Sequence, residues 1–237
     1  YTSFLKDDIK GLKIGVPKEY IGENLCEDIK HSINEAIKFF KKNGAVVTEV
    51  SLPATEYAVP AYYILSSAEA SSNLARYDGI KYGYRASGYD SLVDLYSRTR
   101  GEGFGQSVKT RIFIGTYALS SEFNDYYKKA QKVRTVIYRD FQRVFDDVDI
   151  ILGPTETCAA YKIGEKKDKP LNMTLGDIYT VSVNMAGNCA ISVPCGRDSR
   201  GLPVGMQLIA RHFNEGVILR AAYTYEKRMG GIGFPDL

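Results

Sequence analysis

The side chains able to serve as nucleophiles, bases or metal ligands are few and scattered. Four cysteines, Cys26, Cys158, Cys189 and Cys195, show no CxxC spacing. With only His31 and His212 to complete a ligand set, no zinc site is expected. Scattered thiols fit a reducing cytoplasm, where such groups stay unpaired. Cys189 and Cys195 flank a strand-like run at an even separation, which puts both on one face as buried thiols. Each histidine lacks a carboxylate at short range; His31 lies on or near the apolar face of a helical pattern and His212 follows a strand, so both read as structural. The paired hydroxyls Ser66-Ser67 and Ser71-Ser72 are candidate nucleophiles by type alone. They lack flanking glycines and sit in a helix-like pattern, where a hydroxyl is shielded or bonds to the preceding turn. Without an activating base a serine hydroxyl is a weak nucleophile.

These residues must be placed by a chain of 237 residues, 44% of them hydrophobic, which is enough to bury a substantial core in one large domain or two small ones. Lysine plus arginine exceed aspartate plus glutamate by 31 to 28, and the excess is spread along the chain. Charge therefore does not imply nucleic-acid binding. No run approaches 18 apolar residues, and no basic segment precedes an apolar one at the start, so neither a membrane span nor a signal peptide is expected. The first residue is Tyr1 and a strand-like run soon follows, which raises the expectation of an interior piece of a longer protein.

Leu12 to Val16 reads as a strand closed by Pro17, and Cys26 to Asn43 carries Ile29, Ile33, Ala36, Ile37 and Phe40 at helical spacing, stopped by Asn43-Gly44. Ala45 to Val50 is β-rich, so the first fifty residues form strand, helix and strand, the layout of a βαβ crossover. Helical patterns follow over 55–77, near 91–100, over 106–120 and over 124–145. The last of these shows a basic, solvated surface at Lys128, Lys129, Lys132, Arg134 and Arg139. The glycine- and tyrosine-rich stretch 77–105 reads as a long ordered excursion. Apolar strands are expected at 149–154, 190–194 and 204–209, the last two joined by a turn at Gly201 and Pro203. A charged loop spans 161–170, a helix 175–186, and a final helix 214–229 has Asn214 as its N-cap. The fold class is α/β, a mixed β-sheet with helices on both faces.

Four phrases in order carry a resemblance: EASSNLARYDGIKYGY from Glu69 to Tyr84, GEGFGQSVKTRIFIG from Gly101 to Gly115, KKAQKVR from Lys128 to Arg134, and VNMAG from Val183 with ISVP ending at Pro194. Together they resemble the amidase signature family and, within it, the glutaminase (A) subunits of the amidotransferases that act on Glu-tRNA(Gln) or Asp-tRNA(Asn). The ISVP and GLPVGMQLI elements mark the family in general. RYDGIKYG and GEGFG are characteristic of the tRNA-dependent branch. The likeness covers nearly the whole chain and implies that residues 1–237 form the C-terminal portion of an amidase signature domain. Family members use a serine nucleophile, a bridging serine and a lysine base in an upstream segment that does not occur in these residues, so this polypeptide alone is expected to be inactive.

The resemblance also implies how glutamine is held. Arg111, in Lys-Thr-Arg-Ile-Phe, matches the arginine that pairs with the α-carboxylate, a task suited to a bidentate guanidinium. Asp177 matches the aspartate that takes the α-ammonium, and Tyr62 a tyrosine hydroxyl near the ligand, with Tyr63 a competing match. Each has a plain alternative: Arg111 as a surface or salt-bridged arginine, Asp177 as the cap of the helix that follows it, and Tyr62 as packing. The implied partners are the B and C subunits of the amidotransferase, with tRNA reached through the complex. ATP and magnesium belong to the partner subunit, and no cofactor is expected in this chain. An apolar face and an open sheet edge would favour self-association. The competing readings are a stand-alone amidase signature hydrolase of another small amide, and a catalytically silent interaction module.

Overall fold

A computed structural model describes residues 1–22, 25–165, 176–230 and 233. The chain forms two compact units, one of Tyr1–Val59 with Arg134–Leu237 and the other of Pro60–Val133.

The first unit is built on a five-stranded mixed sheet in the order β2-β1-β3-β5-β4. Its strands are β1 (Lys13–Pro17), β2 (Val46–Val50), β3 (Ile150–Pro154), β4 (Cys189–Arg197) and β5 (Pro203–Ala210). β1 runs parallel to β2 and β3, while β5 is antiparallel to both β3 and β4. Helix α1 (Glu27–Lys42) connects β1 to β2, the expected strand, helix, strand arrangement. It buries Ile29, Ile33, Ala36 and Phe40 on one face, carries Glu27 and Asp28 in its first turn and Lys41 and Lys42 in its last, and so agrees with its own dipole at both ends. Gly44, at φ +90°, makes the turn into β2.

The sheet's central strands are apolar because both of their faces are covered. Every residue of β3 is buried, as are Met206 to Ala210 of β5. On one side α1 packs with α7 (Glu215–Met229): the Phe39 and Phe40 rings lie 4.8 and 5.7 Å from Tyr225, whose hydroxyl donates to the Cys195 carbonyl of β4. The opposite face carries α6 (Ile178–Ala186) and the later turns of α5 (Asn124–Val144), joined where Arg134 Nε donates to the Met185 carbonyl at 2.9 Å. Ile137, Phe141 and Val144 form the buried stripe of α5, while Lys128, Lys129, Lys132, Arg134 and Arg139 lie off it, in keeping with the sequence pattern.

The second unit is helical, comprising most of α2 (Ala58–Asn73), α3 (Leu92–Gly103), α4 (Gln106–Leu119) and the start of α5. α3 opens on Ser91, whose hydroxyl accepts from the Asp94 amide. The glycine- and tyrosine-rich excursion before it is ordered by α3: Ala86 N donates to Thr99 Oγ1, and Arg100 donates to the carbonyls of Leu74 and Tyr77.

Three expectations need correction. Cys26 and Cys158 are not free thiols but a disulfide, because the fold brings the residue before α1 against the loop after β3, with Cα atoms 5.5 Å apart across 132 positions of sequence. His31 faces solvent rather than the core, since Ser32 occupies the inward position beside it. Cys189 and Cys195 lie within β4 instead of flanking it, and only Cys195 is buried. Residues 166–175, which include part of the expected charged loop and the first residue of the expected helix, lie outside the described residues.

Candidate functional site

In the second unit, α2 and α4 cross at a point fixed by small residues. A Cβ on Gly115 would stand 1.9 Å from the Ser67 carbonyl oxygen, so only glycine lets the two backbones approach this closely. The crossing lies one turn beyond Arg111 on α4 and one turn beyond Tyr63 on α2, and this is what brings those side chains together. The Arg111 guanidinium carbon sits 5.5 Å from the Tyr63 ring centre and 6.0 Å from that of Tyr62, and its NH1 donates to Ser66 Oγ at 3.3 Å. The two rings meet edge to face, 5.7 Å apart. Aromatic faces attract a guanidinium while leaving its in-plane N–H groups directed outward. Among the described residues of this unit, no carboxylate pairs with Arg111.

Of the four hydroxyls named as candidate nucleophiles, two are held in hydrogen bonds and a third is buried without a partner. Ser66 accepts from Arg111, Ser67 is fully buried, and Ser71 donates to the Ala68 carbonyl one turn back. None of these three presents a base-activated oxygen.

In the first unit Asp177 holds the N-cap position of α6, and its carbonyl accepts from the amides of Thr180 and Val181. Its exposed carboxylate makes no capping hydrogen bond, so among the described residues the plain capping role is unfilled by the side chain. α6 is seated by Tyr20, a residue that the sequence pattern does not single out. The Tyr20 hydroxyl hydrogen-bonds Ser182 Oγ at 2.9 Å and its ring meets Tyr179 edge to face at 5.2 Å. Burial pushes the Tyr20 phenol well above its ordinary range, so it stays neutral in this bond. Beside the start of α6 lies a cleft of about 290 Å³ whose lining includes Glu19, Tyr20, Thr55, Glu56 and Ile178. Burial alone would raise the Glu19 carboxyl, but bonds from Ser51 Oγ at 2.5 Å and Leu52 N at 2.9 Å outweigh it and hold the group below its ordinary value.

Arg111 and Tyr62 are thus gathered in one unit, and Asp177 stands at a helix start in the other. Among the described residues no group of three or more His, Cys, Asp or Glu is arranged to hold a metal ion, and no helix is long and apolar enough to cross a membrane.

The mixed sheet with its helical insertion defines the class. Residues 1–219 match the model of the Amidase family, and the chain belongs to that family. More specifically, it is 59% identical over 228 residues to the glutamyl-tRNA(Gln) amidotransferase A subunit of Caldanaerobacter subterraneus subsp. tengcongensis, covering 96% of this chain and 46% of that protein. The protein of the same name from Thermoanaerobacter pseudethanolicus is 58% identical, with the same coverage. The chain therefore spans about half the length of the curated relatives it matches. Among solved structures, the glutamyl-tRNA(Gln) amidotransferase A subunit from Thermotoga maritima superposes with a TM-score of 0.71 at 37% identity, covering 94% of this chain and 44% of that one. A bacterial aryl acylamidase of the amidase signature family gives a TM-score of 0.73 at 22% identity, covering 95% of this chain and 45% of that one, a likeness of fold alone.

Proposed function

We propose that this chain is the glutamine-holding portion of an amidotransferase A subunit, which hydrolyses glutamine to supply ammonia for converting Glu-tRNA(Gln) to Gln-tRNA(Gln). The observation that carries this is an arginine poised for an anion. Arg111 is half-buried, seated on two tyrosine rings, and has no described carboxylate partner in its unit. An isolated guanidinium in such a setting favours an anionic ligand that it can meet with two parallel bonds, and the α-carboxylate of an amino acid fits that demand. Asp177, with a carboxylate not used for capping, takes the α-ammonium. The Tyr62 hydroxyl adds a neutral contact near the ligand, and its ring keeps the guanidinium plane in place.

In the complete protein a serine oxygen attacks the side-chain amide carbon, ammonia leaves, and water hydrolyses the resulting ester to release glutamate and the serine. The nucleophile and its base come from a segment outside these residues. Ammonia passes to the B subunit, which activates Glu-tRNA with ATP and magnesium, while the small C subunit steadies the pair. ATP, magnesium and tRNA are therefore handled by the partners.

The test is the steady-state glutaminase activity of the complete complex with Arg111→Ala. Loss of one charge-assisted pair of hydrogen bonds corresponds to a rise in KM for glutamine of roughly tenfold to a hundredfold. An unchanged KM would leave a hydrolase of some other amide, or a silent interaction module, as the better reading.

A further inference from the structure

β5 reads Pro-Val-Gly-Met-Gln-Leu-Ile-Ala, and Gln207 is its one polar side chain. It is 3% exposed. A carboxamide that deep must use its N–H groups or forfeit their hydration. Gln207 directs both across element boundaries: Nε2 donates to the Pro154 carbonyl at the end of β3 at 2.9 Å, and to the Tyr179 carbonyl in the first turn of α6 at 2.8 Å. The first bond references the amide to the sheet backbone, and the second ties the helix to that reference. Tyr179 lies two residues after Asp177, about 3 Å along the helix axis. The Tyr20 contacts grip the same helix through side chains, whereas Gln207 holds its backbone.

We propose that Gln207 is a positioning residue for substrate recognition: by fixing where α6 begins, it sets where the Asp177 carboxylate meets the α-ammonium group of the amino-acid substrate. The inference rests on the assignment of Asp177 to that ammonium. Charge-assisted hydrogen bonds need heavy-atom separations of about 2.7–2.9 Å, and a recognition group held more than about 0.5 Å from its productive place loses much of its effect. Gln207→Leu keeps the volume but removes both donors, so the Pro154 and Tyr179 carbonyls lose these bonds and the first turn of α6 is no longer tied to the sheet through them. The consequence is selective: Arg111, proposed for the α-carboxylate, is carried by α4 and not by α6, so the expected loss falls on the contribution of the ammonium.

The experiment compares two ligands in the complete amidotransferase complex. One is glutamine, read by KM. The other is 4-carbamoylbutanoate, the same amide and carboxylate without the ammonium, read by its inhibition constant. With Gln207→Leu the KM for glutamine should rise about tenfold, which is about 1.4 kcal/mol, with kcat within about twofold, while the inhibition constant of 4-carbamoylbutanoate stays within about twofold. Should Gln207→Leu fail to accumulate, Gln207→Asn replaces it, since an amide one methylene shorter cannot span both carbonyls, and the same selective rise is expected. Asp177→Asn is the reference for the underlying assignment and should abolish the preference for the ammonium-bearing ligand. If Asp177→Asn leaves that preference intact, the assignment of Asp177 is wrong. If Asp177→Asn abolishes it but the Gln207 variant weakens both ligands equally, or neither, the positioning role is overturned.

Discussion

Replacing Gly115 with alanine tests whether the crossing of α2 and α4 is as tight as the geometry requires. The new Cβ would lie 1.9 Å from the Ser67 carbonyl oxygen, 2.4 Å from its carbonyl carbon and 2.8 Å from Ser71 Cβ. The two nearest atoms are backbone, so no rotamer change relieves the contact. Restoring an ordinary separation needs more than an ångström of movement between two helices that carry buried Ala61, Ala68 and Ala118. Overpacking of this kind costs about 1–3 kcal/mol, against a helix-propensity gain of about 0.5–1 kcal/mol for Gly→Ala. Because the clash is with backbone, the upper part of that range applies, and a net loss of about 1–2.5 kcal/mol corresponds to a fall of roughly 2–10 °C in Tm for a chain of this size. Thermal unfolding followed by circular dichroism reads the shift. Gly101→Ala is the matched control, because α3 leaves nothing within 4 Å of a Cβ there. It should raise Tm slightly, so the two identical substitutions are expected to differ in sign. A Gly115→Ala protein as stable as the parent would refute the close approach, and with it the explanation of how Arg111 is brought onto Tyr62 and Tyr63.

Other consequences are equally open to measurement. Non-reducing peptide mapping should recover Cys26 joined to Cys158, and Cys26→Ser should cost about 2–4 kcal/mol through the loop freed in the unfolded chain; two alkylatable thiols at those positions in the native oxidised protein would contradict it. The Glu19 carboxyl is held below its ordinary value, and a group depressed on folding contributes stability above the ordinary carboxylate range that is lost as pH falls through its folded value. Glu19→Gln should therefore lower stability near neutrality and flatten the acid limb of a stability-versus-pH curve, whereas parallel curves for the two proteins would remove that contribution. Burial pushes the Cys195 thiol up to about 12, so folded protein should resist iodoacetamide at that position under mildly alkaline conditions and react only on unfolding.

Much of the secondary structure is legible in the sequence because each segment carries its own punctuation. The Ile29 to Phe40 stripe with Asn43-Gly44 behind it, and the apolar runs at 149–154 and 204–209, correspond to α1, β3 and β5. What local pattern cannot supply is pairing between distant segments. β3 lies beside β1, with Ile14 opposite Ile150, and takes β5 on its other edge in antiparallel register. That same proximity, invisible in cysteine spacing, joins Cys26 to Cys158. His31 departs from expectation because a helical stripe has edges, and its neighbour Ser32 turns inward to donate to the Asp28 carbonyl.

The site is partly legible as well. Arg111 and Tyr62 emerge from a phrase-level resemblance, and the structure places them together through a glycine that the same phrase as Arg111 contains. Tyr20 and Gln207 escape it for different reasons. A tyrosine among 18 carries no signal by type, but a glutamine inside an apolar strand does: a buried polar group implies partners elsewhere in the fold. That mismatch can be read from the sequence, though not the identity of the two carbonyls it serves.

The most direct test is a crystal structure of the complete amidotransferase complex with glutamine bound. The expected result is the α-carboxylate meeting the Arg111 guanidinium through two N–H groups, the α-ammonium within hydrogen-bond reach of Asp177, and the Tyr62 ring still beneath the guanidinium. Glutamine held elsewhere, with Arg111 and Asp177 touching no part of it, would contradict the proposed grip on the amino acid's charged end.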